Sequence, residues 1–233
     1  MITNRHTRES SPTCSALRDI KQQFNDFILS RQYPCLGAKS ALRNNAYHLA
    51  HYETLGTSAS AHRIGADLLT FINDQGTMAG HFATFVATFA HPVTLSEEAF
   101  ETLLWQQLTA LHAIDRHPWA LSASRNPNDS DFGFSFGGKA FFIVGLHARS
   151  SRLARRFEYP TLVFNLHHQF EQLRATNKFK KMQQVIRARD HAWQGSNNAM
   201  LADFGTASEA RQYSGRAVPA DWQCPFRHQD TAS

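Results

Sequence analysis

Two stretches of this chain are apolar on both sides of an alternating pattern and read as interior strands. His81–Ala90, HFATFVATFA, sets Phe82, Thr84, Val86 and Thr88 against Ala83, Phe85, Ala87 and Phe89. Ala140–Leu146, AFFIVGL, carries no polar side chain at all. Strands of this kind are buried on both faces, so the sheet they build must be flanked by other elements.

Helical spacing elsewhere supplies that cover. Leu17, Ile20, Phe24, Phe27 and Ile28 predict an amphipathic helix over Ser15–Ser30. Tyr33-Pro34-Cys35-Leu36-Gly37 reads as a turn, with helices following across Ala38–Tyr52 and Arg63–Asn73. Ser96-Glu97-Glu98 opens the strongest helix: a capping serine, an acidic first turn, and Phe100, Leu103, Leu104, Leu108, Leu111 and Ile114 as its stripe. His117-Pro118 ends it. Arg125–Asp131 is a polar loop, and Phe132–Phe136 pairs with Ala140–Leu146 across the Gly137-Gly138 turn. A strand over Thr161–Leu166 runs into a helix with Phe170 and Leu173, and Phe179, Met182, Val185 and Ile186 mark another. Periodicity is weak from Gln194 onward. This order predicts an α+β fold with a mostly antiparallel central sheet flanked by helices. It fits a single domain over residues 15–226, with flexible tails at 1–14 and 227–233.

Hydrophobic content of 42% against 18% charged residues excludes a disordered chain. The 18 Phe against 5 Tyr imply an aromatic core, which also suits a planar apolar cofactor. The net charge of +5 permits nucleic-acid binding, yet no zinc-finger spacing, aromatic RNA-binding motif or basic tail accompanies it, so no nucleic acid is expected. Three cysteines without a secretory signal predict reduced thiols in the cytoplasm, and the longest apolar run is too short to reach across a membrane.

Chemistry concentrates where the second apolar strand ends. AFFIVGLHARSSRLARRF delivers His147 from a rigid strand into a turn with Arg149, Arg152, Arg155 and Arg156, a setting able to hold carboxylates or phosphates. That run is followed in order by FNLHHQFEQLR, QGSNNAMLADFG, SEARQYSGR and WQCPF, and YPCLGAKSAL precedes it near the N-terminus. Together these segments resemble the YqcI/YcgG family, also called CPF-motif proteins, from about Tyr33 to Phe226. Within it, the chain is similar to the heme-dependent N-hydroxylases of guanidino compounds. The resemblance implies a cytoplasmic enzyme that hydroxylates a guanidino nitrogen of an arginine-like substrate, with heme as cofactor, dioxygen as oxidant and an electron donor as partner. A homodimer is compatible with this reading. Three positions depart from the family pattern: Ala148 stands where proline is usual, Asn198-Ala199 where Asn-Pro is common, and Tyr33 in place of phenylalanine. They bear more on substrate choice than on the cofactor.

The implied heme needs an axial donor. His147 is the first choice, against the alternative of a strand-end histidine bonded to backbone; His167 is the second, at a strand-to-helix junction beside His168. His48 and His51, three apart on the helix expected there, read more readily as a solvated face. Cys35 and Cys224 each adjoin a proline, and packing is preferred over thiolate ligation for both. Ser151, Arg152 and Arg211 are candidate cofactor contacts, the arginines to propionates, whereas Arg155 and Arg156 read equally well as a solvated basic face. Asp203 and Glu209 are the carboxylates for a guanidinium, unless they cap local turns. Tyr213 and Ser214 offer hydroxyls to substrate or oxygen. Two other readings stay open: a non-catalytic protein that binds heme or an anion, and a non-heme iron oxygenase using His147 with His167 or His168 and a carboxylate.

Overall fold

A computed structural model describes residues 14–80, 82–93, 95–175, 178–198, 200 and 206–229. Among them are seven α-helices and one five-stranded sheet. The helices are α1 (Cys14–Leu29), α2 (Leu36–Arg43), α3 (Ser58–Asp74), α4 (Glu97–Ile114), α5 (His167–Ala175), α6 (Lys178–Gln194) and α7 (Ala210–Tyr213). The strands are β1 (Tyr47–Thr54), β2 (Thr84–His91), β3 (Phe134–Phe136), β4 (Lys139–Leu146) and β5 (Thr161–Leu166), in the spatial order β1-β2-β5-β4-β3.

The fold is α+β as expected, but the sheet is mixed rather than mostly antiparallel. β1 runs parallel to β2 with α3 as the crossover, while β2–β5, β5–β4 and β4–β3 are antiparallel. The correction traces to one segment. Ala38–Tyr52 was expected to be helical throughout, yet α2 stops at Arg43 and β1 begins at Tyr47. Asn45 sits between them at φ 52°, a left-handed conformation that asparagine tolerates better than most residues. His48 and His51 therefore alternate to opposite faces of a strand: His48 against Phe71, His51 beside Thr88 Oγ1 at 3.0 Å.

Several local expectations hold. The Ser96 hydroxyl caps α4 by accepting from the Ala99 N–H. Gly137 and Gly138 turn the β3–β4 hairpin with φ of 60° and 71°, which a two-residue turn of this hand requires.

Strand parity divides the interior into two cores. Phe85, Phe89, Phe141, Ile143, Leu162 and Phe164 point to the side covered by α3 and α4, where they meet Leu68, Phe71, Phe100, Leu104 and Leu108. Val86 and Leu146 point the other way, toward Phe24, Ile28, Tyr33 and Leu42 from α1, α2 and the turn between them. The chain's C-terminal stretch adds Cys224 and Phe226 to the first core. The second side is the one that α1 and α2 cover.

Candidate active site

A cavity of about 320 Å³ lies on that second side. Phe142, Val144 and Val163 of the sheet form its floor, and Phe179, Met182 and Ile186 of α6 form a wall. Its lining is mostly apolar, with polar groups at a few points, as small-molecule sites commonly are.

Cys35 contributes the thiol. It is the N-cap of α2, and its Sγ accepts from the Ala38 N–H at 3.4 Å. Burial pushes this thiol up, while the N–H groups of Ala38 and Gly37, Arg155 and Lys39 pull the other way. The turn carrying it is held from two directions. Lys39 donates through Nζ to the Ser30 carbonyl at 2.6 Å, and Arg189 of α6 donates to the carbonyls of Arg31 and Tyr33.

The cationic turn after β4 docks on the end of α6. Arg152 lines the cavity and pairs with Asp190, which also lines it; Arg152 further donates to the Ser196 carbonyl at 3.0 Å. Gln194 accepts from the Leu153 N–H at 2.7 Å and donates to the Ser151 carbonyl at 3.2 Å. Arg155, expected equally to be solvated, points inward instead. Its guanidinium lines the cavity and donates to the carbonyls of Gly145, Gln212 and Tyr213, linking the end of β4 to α7.

A second polar pair lines the same cavity. His167, the first residue of α5, brings Nε2 to 2.8 Å from Glu209 Oε2, and both residues line the cavity. Gly133 makes room for the ring: a Cβ there would stand 2.3 Å from His167 Cε1.

Of the residues singled out by sequence, the cavity therefore gathers Cys35, Arg152, Arg155, His167 and Glu209. His147 lies elsewhere. It continues the parity of Phe141 and Ile143, so its ring turns to α4 and stacks on Phe100 with centroids 4.5 Å apart. It is 2% exposed, and its Nδ1 is buried without a hydrogen-bond partner. Tyr213 is also inside the first core. Its hydroxyl donates to the Phe141 carbonyl and accepts from the Phe134 N–H. Ser151 donates through Oγ to Glu97 near the surface. Arg211 donates to the carbonyls of Pro219 and Trp222 and lies over the Trp222 ring. Ser214 donates to Glu101. Cys224 is buried beside Phe226, its thiol pushed up to about 12 mainly by burial. Asp203 lies outside the described residues. Sequence reasoning passed over Asp190 and Gln212; Asp190 sits where the helical stripe of α6 meets Arg152, which the spacing of α6 alone does not reveal. Among the described residues no group of three His, Cys, Asp or Glu is placed to hold a metal ion, and no helix is long and apolar enough to cross a membrane.

The profile described as the YqcI/YcgG family matches residues 24–227. YqcI of Bacillus subtilis (strain 168) is 27% identical over 168 residues, covering 70% of this chain and 66% of that protein, just under two thirds of its length. YcgG of the same organism is 24% identical over 84% of this chain and 81% of its own. A Streptomyces lavendulae protein named "Putative N(omega)-hydroxy-L-arginine synthase DcsA" is 28% identical over 84% of this chain and 77% of its own. No solved structure matches the chain.

Proposed function

Because the chain belongs to the YqcI/YcgG family, we propose that it is an oxidoreductase that hydroxylates a guanidino nitrogen of an arginine-like substrate, with heme seated in the cavity. The observation that carries this reading is the convergence, in one mostly apolar chamber, of the Cys35 thiol and the His167–Glu209 pair. The name of the Streptomyces relative supports the choice of a guanidine substrate.

The donor set fits heme. A cysteine thiolate is an established iron ligand in oxygen-activating heme proteins. Burial holds the Cys35 thiol up, a helix N-terminus partly offsets that, and binding to iron would supply the rest of the drive to the anionic sulfur. Cys35 stands at such a terminus and lines the cavity, whereas His147 is on the far side of the sheet, which supports Cys35 over His147 as the ligand in this reading. Phe142, Val144 and Ile186 would enclose the ring, and Arg152 would face a propionate. When bound, heme supplies dioxygen and one-electron chemistry, which protein side chains alone do not provide.

The chain's own groups handle the substrate. The Glu209 carboxylate accepts from guanidinium N–H groups, and His167 fixes the orientation of that carboxylate through Oε2. Apolar walls keep bulk water from the reacting nitrogen and strengthen the charge interaction inside. Hydroxylation places one oxygen atom of dioxygen on nitrogen and releases the other as water, consuming two electrons and two protons. An external electron donor must supply the electrons.

The test is direct. Protein produced with iron and a heme precursor should show a Soret band. With oxygen, a reductant and L-arginine or agmatine it should give a product heavier by one oxygen. Absence of a Soret band in heme-supplemented protein rules out this reading.

A further inference from the structure

Gln212 occupies an unusual position in the cavity wall. It is 9% exposed and lines the chamber beside Glu209 and Arg155. Its backbone is fully engaged: the N–H donates to the Glu209 carbonyl at 2.8 Å, and the carbonyl accepts from Gly215 N–H at 3.2 Å and from Arg155 at 3.3 Å. Its side-chain amide, by contrast, makes no hydrogen bond among the described residues and is not one of the fully buried unpartnered groups, so it is open to the space it lines. Glu209 has helical backbone angles (φ −62°, ψ −25°) and precedes Gln212 by three residues, so the two side chains lie on one side of the same turn. Among the described residues Glu209 is hydrogen-bonded through Oε2, to His167, and the Arg174 guanidinium lies near enough to feel its charge.

We propose that Gln212 is a specificity-determining residue that, with Glu209, selects a guanidino group over ureido and amino analogues. The inference rests on the guanidine reading above. A guanidinium carries N–H donors on every edge and no acceptor. The free oxygen of Glu209 accepts from one edge, and Gln212 Oε1 accepts from the next. A neutral amide adds a second acceptor without adding charge, and Glu209 is left as the carboxylate for the ligand because Asp190 is already paired with Arg152. The site thereby offers acceptors where the ligand offers donors, and a ligand lacking one of those donors leaves a buried acceptor unpaired.

The experiment is calorimetric titration of the heme-loaded full chain with L-arginine, agmatine, L-citrulline and L-ornithine. Wild type should bind arginine or agmatine more tightly than citrulline or ornithine. Gln212→Leu should weaken binding of the guanidines roughly tenfold, with the circular dichroism spectrum unchanged. Gln212→Glu should hold arginine yet discriminate more strongly against citrulline, because a carboxylate cannot donate to the ureido oxygen. Unchanged arginine affinity in Gln212→Leu overturns the proposal. If that variant does not fold, an arginine-to-citrulline ratio in Gln212→Glu equal to that of wild type overturns it instead. Wild type that binds none of the guanidines defeats the underlying reading, a result separate from either of these.

Discussion

The imidazole of His147 stacks on the ring of Phe100 with centroids 4.5 Å apart, on the side of the sheet facing away from the cavity. Strand geometry makes this unavoidable, because Leu146 turns toward Phe24 and Ile28 and its successor must turn the other way. His147→Leu should accordingly retain heme. Cys35→Ser should lose affinity by more than the roughly 10–100-fold typical of changes around a ligand. Soret titration of the two variants checks the pair; loss of heme from His147→Leu alone would return the iron to that histidine.

Buried imidazoles set the acid limit of the fold. Burial depresses His147, His112, His51 and His168 below the ordinary value, and for His147 the carboxylate of Glu97 opposes that while Arg155 adds to it. Each is held neutral in the native state, so the unfolded chain takes up more protons as pH falls below about 6.5. Stability should be fully present above that pH and decline below it. Urea denaturation across the range should give a falling midpoint on the acid side, with a shallower fall in His147→Leu.

Gly133→Ala is a test of the Glu209 pair that touches neither partner. The new Cβ would stand 2.3 Å from His167 Cε1, closer than atoms pack, so the ring must move off Glu209. Overpacking of this kind costs about 1–3 kcal/mol. Guanidine affinity should fall together with stability, as read by calorimetry and urea denaturation.

Asp190→Ala removes the carboxylate from Arg152 where both side chains are largely shielded, 9% and 12% exposed. Leaving a shielded guanidinium without its partner costs about 3–5 kcal/mol. Asp190→Asn keeps a hydrogen-bond acceptor and should lose less. Thermal melting of the two variants gives the order.

The elements with a strong local signal were legible from sequence. The Ser96 cap, the paired glycines and the apolar strands each carry their own physical cause within a few residues. β1 was not, because its residues are half-exposed and its short alternation adjoins a real helix; the Asn44-Asn45 break was the available sign. At the site, Glu209, Arg152 and His167, each singled out from the sequence, line the cavity. Cys35 reads as packing in the sequence because a cysteine beside proline gives no sign of the helix it caps; its thiol stands at the α2 N-cap and lines the cavity. His147 stands in a conspicuous motif, and the parity fixed by Phe141, Ile143 and Gly145 directs its ring toward α4. Long-range pairings such as Arg152 with Asp190 depend on how the turn docks on α6, which no local pattern encodes.

The sheet, with one core against α3 and α4 and a chamber on its other side, also bears on how this protein can change. Substitutions in the two layers share few partners, so their effects on stability should sum when combined. Arg155 is the exception, since its guanidinium reaches the carbonyls at the end of β4 and of α7 at once. Drift in the α3–α4 layer can therefore proceed with little consequence for what the chamber admits, and selection for a new substrate can act on α2, α6 and α7 without dismantling the scaffold.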